Sequence, residues 1–536
     1  MNKWVHKVKI GNKLCKGLAV FRRKTMSHSK GDYFQTDHLM LTLKERALRG
    51  ASITVIAQAC VFAIQTIGTI ILARLLIPSD FGLITMVLSV ALLLGNFGTN
   101  GLTEAVIQAK EINHEQLSTL FWINIGINIV LAFLFILLAP VIVWFYKEPR
   151  LTSIIIAIAV SNVIGALSVQ HLSLLKRRMK FPAISAIDVI ASIVSVTVPI
   201  ILAKCDWGYW ALVSKWVIYP LMITACAWVM CGWRPGLPSM HAGIGPMLRY
   251  SFHAYGNFVI SYLRRNVDKM VIGRWYGSQP LGCYDRAYHL SSLIPSQIVG
   301  PLNSVAISTF SRISEDSKKY CHSYIKVISI MAFVGMPLSA ASVLISDDIV
   351  LLVLGAQWKE AGNLFFAFGL SMGISIIYAT HNWLHLSLGT PDRWFRWSIV
   401  ELFVTVLCFL VAIPYGPLGI AIGFSASFYI LIGPGLWYAG KPVNLKISHV
   451  LSGIYKYYMS ALCSGILCWS ILYYFDQTAK IIRDLNIIAR IIASTTTCIF
   501  FYLVIIVIFF QGVKPISEFI FFLHEIIAKK GINSNR

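Results

Sequence analysis

"NFVISYLRRNVDKMVIGRWYG", residues 257–277, carries two opposed signals. Its apolar residues have the length and density of a membrane span, yet Arg264, Arg265, Asp268 and Lys269 sit together in its middle. On a helix, His253, Asn257, Ser261, Arg264 and Asp268 share one face, and Arg265 and Lys269 lie beside them. Val259, Ile260, Val267, Met270 and Val271 fall on the opposite side. The stretch is amphipathic where lipid should surround it. One charge at the bilayer centre costs about 2.5–3.5 kcal/mol, so four facing lipid would cost on the order of 10 kcal/mol. An i,i+4 ion pair between Arg264 and Asp268 would relieve two charges and leave Arg265 and Lys269 without a partner. Long side chains near the outer interface could snorkel to water. A water-filled cavity accommodates all four, and is the arrangement expected.

The rest of the chain has the same membrane character. Of 536 residues, 57% are hydrophobic and 13% charged, and the mean hydropathy is +0.70. A soluble chain carries about twice that charge. Apolar runs near 20 residues specify an all-α polytopic membrane protein, and a porin-type barrel would show short alternating segments instead. The net charge of +23 fits the Lys- and Arg-rich cytoplasmic loops of such proteins, with no nucleic-acid partner implied. The eleven cysteines show neither C-x-x-C nor metal-ligand spacing, so no metal and no disulfide framework are expected. Cys205 and Cys283 both fall in expected outside loops, but a bond between them depends on geometry.

About fourteen spans are predicted, at 49–74, 81–104, 117–145, 151–174, 182–203, 209–231, 250–276, 284–311, 321–346, 361–388, 395–413, 416–438, 450–474 and 487–510. Placing the N-terminus and every second loop inside puts most of the 46 basic residues there, "LKRRMKF" (175–181) being the densest loop. Both termini are then cytoplasmic. Lys480, Arg483 and Arg490 fall on the outside and fit this assignment least well.

"VIGRWYGSQPLG" (271–282) overlays "ILARLLIPSDFG" (71–82), with Arg274 on Arg74 and Gly282 on Gly82. Six spans precede the second copy, so both copies enter the membrane from the same side. That is a parallel repeat: two six-helix lobes around a central cavity, plus two C-terminal helices. The expected organisation is a basic N-terminal tail over 1–47, an N-lobe over 48–232 and a cytoplasmic linker over 233–247. A C-lobe over 248–440, additional spans over 441–510 and a cytoplasmic amphipathic tail over 511–536 complete it.

Span one supports the cavity, because Thr54, Gln58, Gln65 and Thr69 form a polar stripe. Gln65 overlays Arg265 and Thr69 overlays Lys269, one helix neutral and the other cationic. Asp188, Lys215 and Glu401 are further intramembrane ionisable residues, candidates for the same cavity or for coupling to an H⁺ or Na⁺ gradient. His381 and His385 stand at i,i+4 without a third ligand, which favours polar lining over a metal site. No P-loop, H-E-x-x-H or G-x-S-x-G is present, so no catalytic residues and no cofactor are assigned.

The stretch "RRNVDKMVIGRWYGSQPLGCYDRAYHL" resembles the polysaccharide exporters of the multidrug/oligosaccharidyl-lipid/polysaccharide superfamily, in particular the colanic-acid-exporter type. Arg265, Asn266, Asp268, Leu281, Gly282, Tyr284, Arg286, Ala287, Tyr288 and Leu290 carry the resemblance. "LARLLIPSDFGLITM" and "GLTEAVIQAKEINHEQLSTLFWINIGI" extend it over about residues 45–440. It implies alternating-access export of an undecaprenyl-diphosphate-linked oligosaccharide across the bacterial inner membrane, ahead of the polysaccharide polymerase machinery. Arg264, Arg265 and Lys269, with Asn257, Ser261, Gln65 and Thr69, would line its cavity and hold the diphosphate. Asp268 would balance their charge or carry a coupling proton. A drug/cation antiporter of the same superfamily would need acidic residues in the cavity, whereas this stripe is net positive. A membrane polymerase or ligase acting on lipid-linked sugars would usually carry a larger external loop. A scaffold would have no use for the stripe.

Overall fold

The computed structural model describes residues 43–95, 103–108, 112–239, 262, 266–474, 485–521 and 524. Among them the chain is helical, with no strand. The first lobe contains α1 (Leu43–Leu75), α2 (Pro78–Gly95), α3 (Thr103–Gln108), α4 (His114–Leu137), α5 (Ala139–Tyr146), α6 (Leu151–Ala166), α7 (Val169–Arg177), α8 (Phe181–Lys204) and α9 (Tyr209–Cys231). The second contains α10 (266–276), α11 (Ser278–Ser311), α12 (Ser317–Leu344), α13 (Ser346–Val353), α14 (Lys359–Gly369), α15 (Met372–Tyr378), α16 (His381–Ser387), α17 (Pro391–Ala412) and α18 (Gly416–Gly440). Then come α19 (Ile447–Tyr474) and α20 (Ile487–Phe510). Most of these helices overlap expected spans, several of which are built from two or three consecutive helices, whereas α3 and α13 lie mainly between expected spans. Eight described segments are long and apolar enough to cross a membrane, and a ninth qualifies if the pair bent by 47° between Ala356–Gly369 and Met372–Ser387 is one span. The chain is a multi-span membrane protein.

The 200-residue repeat is built into the packing. Helices α2 and α11 start at equivalent positions and pack against each other. A Cβ added to Gly82 would lie 1.8 Å from the Ser278 carbonyl oxygen, and one added to Gly282 would lie 1.9 Å from that of Pro78. Each glycine therefore admits the backbone of the other copy at the equivalent residue, the signature of a two-fold relation between the copies. Only a residue without Cβ allows so close an approach.

The lobes meet at the end that carries these glycines. There one apolar core runs from Leu72, Phe81 and Leu151 through Tyr284 to Trp358 and Phe365. Hydrogen bonds reinforce the junction: the Trp358 indole donates to the Ala73 carbonyl at 2.7 Å, Gln357 Nε2 donates to the Leu76 carbonyl at 2.9 Å, and Arg74 donates to the Leu352 carbonyl. Towards the other end each lobe keeps its own core, one around Leu120, Leu174 and Trp233 and the other around Phe310, Tyr320 and Leu384. Among the described residues the two lobes are thus joined at the glycine end and packed around separate cores at the opposite end.

The chain leaves the first lobe along α4. Gly236 and Ser239 donate their backbone N–H to Ser118 Oγ and Thr119 Oγ1, both at 2.9 Å, and Trp122 Nε1 donates to the Gly236 carbonyl at 2.8 Å. Helices α19 and α20 pack on the flank of α12, where the Tyr502 hydroxyl donates to the Phe333 carbonyl at 2.9 Å. Arg490, which fitted the charge-based topology poorly, forms a two-pronged ion pair with Asp348 at the start of α13. Cys205 is exposed, Cys283 is buried, and both are free thiols.

Candidate functional site: a cationic cavity on the repeat axis

A cavity of about 350 Å³ lies beside the glycine junction. Its polar lining comes in repeat-related pairs. Thr69, Thr85 and Ser89 contribute from α1 and α2, and Lys269, Asp285 and His289 contribute from α10 and α11. Each of the second set stands 200 positions after its counterpart. Lys215 of α9, Arg286, Asn266 and Tyr262 complete the polar wall.

On the first side the hydroxyls are satisfied within their own helices. Thr69 Oγ1 donates to the Gln65 carbonyl at 2.7 Å and Thr85 Oγ1 to that of Phe81 at 3.0 Å, leaving oxygen lone pairs for the cavity. The second side is ionic. Lys269 Nζ lies 2.8 Å from Asp285 Oδ1, and Arg286 pairs with the other oxygen of the same carboxylate. The Lys269 ammonium also faces the Tyr288 ring, 5.5 Å from its centroid, and the Arg286 guanidinium faces Phe81 at 5.0 Å. Lys215 makes no ion pair among the described residues. One lining carboxylate therefore stands against Lys269, Arg286 and Lys215, and the wall is net positive. Taking charges out of water is unfavourable unless they are paired, so the excess cations call for an anion. Tyr262 ties this wall to the first lobe, its hydroxyl donating to the Leu88 carbonyl at 2.6 Å.

Among the residues expected from sequence, Lys269, Thr69 and Lys215 come together at this cavity. Asp268 is 3% exposed and lies behind the wall, where Oδ2 accepts the Tyr284 hydroxyl at 2.8 Å. Gln65 is half-buried and lines neither this cavity nor the next. Asp188 belongs to a separate cavity of about 540 Å³ within the first lobe, with Thr54, Gln58, Lys176 and Tyr219. Glu401 is 1% exposed inside the second lobe, where it accepts the Tyr378 hydroxyl and faces His381. His381 and His385 are buried in that lobe, their rings 6.1 Å apart and nearly perpendicular. No group of three or more metal-ligating side chains occurs among the described residues. Arg264, Arg265, Asn257 and Ser261, with the N-terminal tail to residue 42 and most of the linker, lie outside the described residues.

Sequence reasoning missed Asp285, Arg286 and His289 as cavity residues. The signal was available: continuing the repeat past residue 282 places Asp285 on Thr85 and His289 on Ser89, one helical turn apart and on one face.

The family described as polysaccharide biosynthesis protein matches residues 71–363. The lipopolysaccharide biosynthesis protein WzxC of Escherichia coli (strain K12) is 24% identical over 414 residues, 74% of this chain and 83% of that one. The teichuronic acid biosynthesis protein TuaB of Bacillus subtilis (strain 168) is 22% identical over 446 residues, 81% of this chain and 90% of its own length. The succinoglycan biosynthesis transport protein ExoT of Rhizobium meliloti (strain 1021) is 22% identical over 364 residues, 67% of this chain and 72% of that protein. Among solved structures, the lipid II flippase MurJ in an inward closed conformation superposes with a TM-score of 0.67 at 15% identity, over 85% of this chain and 98% of that one. An inward-facing multidrug MATE transporter gives 0.52 at 12% identity, over 74% and 99%. The chain belongs to the polysaccharide biosynthesis protein family, with the fold shared by MurJ and the MATE transporters.

Proposed function

We propose that this family member flips a lipid-diphosphate-linked oligosaccharide across the bacterial inner membrane by alternating access, for surface polysaccharide synthesis. The observation that carries the reading is the net-positive cavity wall of Lys269, Arg286 and Lys215 on the axis between the lobes. A diphosphate is the most anionic part of such a substrate. In a site of low dielectric it competes with Asp285 for Lys269 and Arg286, and an arginine can grip phosphate through two parallel N–H bonds. Asp285 limits the attraction, so that the bound diphosphate can leave, and it restores the cations' partner afterwards. Arg264, Arg265, Asn257 and Ser261 are proposed to extend the same cationic face, and Asp268 to balance it.

The lobes joined at the glycine end correspond to one arrangement of the cycle. With both termini cytoplasmic that end faces outward, so the cavity would load from the inside and deliver to the polymerase machinery on the outer leaflet. Deletion of the gene should leave a lipid-linked oligosaccharide on the inner leaflet. Wild-type chain should clear it, while Arg286→Gln and Lys215→Gln, inserted at equal abundance, should not. Normal clearance by both variants would separate the activity from this cavity.

A further inference from the structure

The cavity of about 540 Å³ inside the first lobe lies towards the end opposite the glycine junction. Thr54 and Gln58 line it from the first half of α1, Lys176 from the last turn of α7, Ser185 and Asp188 from near the start of α8, and Tyr219 from the middle of α9. Its charges are of both signs and stand apart. Asp188 is half-buried, and among the described residues its carboxylate makes no hydrogen bond or ion pair. The Lys176 ammonium, on the same lining, makes none either. Asp188 stands about 10 Å along α8 from its first residue, and a carboxylate at that depth in a span costs free energy until its oxygens accept hydrogen bonds.

The neighbouring side chains supply the rest of the chemistry. Thr54 Oγ1 donates to the Gly50 carbonyl at 2.8 Å, which leaves its lone pairs to accept. Lys176 can only donate, whereas Gln58, Ser185 and Tyr219 can do both. Such a lining suits a neutral, polyhydroxylated ring. Each ring hydroxyl donates once and accepts as well, and two adjacent hydroxyls can donate to the two oxygens of one carboxylate. A bare cation fits poorly, because it needs a close cage of oxygens, at about 2.3–2.6 Å for calcium, and Lys176 would repel it. The volume is that of a small-molecule site, which spans about 300–1,000 Å³. Helix α1 links this cavity to the cationic one: Thr54, Gln58 and Thr69 share one face, with Gln58 and Thr69 about 16 Å apart along the axis.

We propose that the first-lobe cavity is a saccharide subsite: while the diphosphate occupies the cationic cavity, ring hydroxyls of the attached oligosaccharide donate to Asp188 and accept from Gln58 and Lys176. Lys269 and Arg286 then hold the phosphate, common to every such lipid, and Asp188 reads the sugar, which distinguishes one from another. A substrate lacking the matching hydroxyls would leave the carboxylate without donors, and the site would reject it for that reason. The inference rests on the lipid-diphosphate reading and adds to it the place where the sugar is recognised.

The test uses the full-length protein in lipid nanodiscs and two probes: the lipid-linked oligosaccharide purified from the deletion strain, and undecaprenyl diphosphate without sugar. Asp188→Asn should weaken binding of the first about tenfold or more, the effect of losing a charge-assisted hydrogen bond, and leave binding of the second unchanged. Arg286→Gln should weaken both. In the wild-type protein, Asp188 should react with a water-soluble carbodiimide, read by mass spectrometry, and the first probe should protect it while the second does not. That readout holds even if the variants fail to fold. Unchanged binding of both probes in Asp188→Asn, or an equal loss of both, overturns the subsite. So does an Asp188 that is never labelled, or is labelled equally with and without the oligosaccharide. Sodium-dependent transfer that disappears in Asp188→Asn, with oligosaccharide affinity unchanged, would give the cavity to a coupling ion instead. Wild-type protein that binds neither probe overturns the functional reading and this inference together, whereas the preceding outcomes overturn this inference alone.

Discussion

The two copies of the repeat share a backbone and differ in chemistry. Gly82 and Gly282 make reciprocal contacts at the junction, and the residues facing the cavity follow the same spacing in both copies. Yet Thr69, Thr85 and Ser89 in the first copy become Lys269, Asp285 and His289 in the second. The symmetric positions hold the lobes together, and the asymmetric ones give the cavity its charge. Positions that must admit a backbone tolerate one residue type. Positions that face water inside the membrane can diverge, provided that each buried charge finds a partner.

Breaking the symmetric part should have the largest effect. Gly82→Ala places a Cβ against the Ser278 carbonyl, where backbone cannot yield as a side chain can. The expected cost is at or above the about 1–3 kcal/mol of ordinary overpacking. It is measured as a lower Tm in detergent together with lost export. Gly282→Ala should do the same, and the double variant should fall short of the sum because both act on one junction.

Breaking the asymmetric part should separate stability from activity. Asp285→Asn leaves Lys269 and Arg286 without their shared carboxylate. Removing one partner of a buried pair costs about 3–5 kcal/mol, reduced here because the cavity keeps Lys269 and Arg286 partly exposed. Thermal unfolding should show Lys269→Gln/Asp285→Asn recovering part of that loss, while the clearance assay shows no recovery of export.

The smallest effect is expected away from the axis. Arg490→Leu removes the pair with Asp348, whose side chains are 26% and 16% exposed. A partly exposed pair is worth about 1 kcal/mol or less. Tm should fall slightly and export should persist; lost export would give α20 a role in the cycle.

The sequence disclosed the helices, the parallel repeat and the need for a cavity, because length, apolarity and a 200-residue overlay are local or periodic signals. Its argument for Lys269 was that a charge in a span must leave lipid, and Lys269 lines the cavity beside the glycine junction. It did not disclose that Asp285 is the partner of Lys269, because that pairing depends on how α10 packs against α11. A helical wheel for span seven puts Asp268 on the polar face, but a wheel cannot show that Tyr284 comes from α11 to cover it. Glu401 was legible as an intramembrane ionisable residue, and its partners were not: Tyr378 and His381 come from α15 and α16, and a helical wheel for α17 cannot show which side chains of other helices meet it.

The central claim is that the charge difference between the copies performs the transport, while their shared geometry holds the fold. Lys269→Thr/Asp285→Thr writes the first copy's residues into the second and removes one cation and one anion together. The direct measurement is the rate at which vesicles carrying this variant expose a lipid-linked oligosaccharide on the opposite leaflet, read beside its Tm. The account predicts a Tm within a few degrees of wild type and a loss of transfer of at least about tenfold, the equivalent of about 1.4 kcal/mol in the transport barrier. Transfer at the wild-type rate by the symmetrised protein would contradict it.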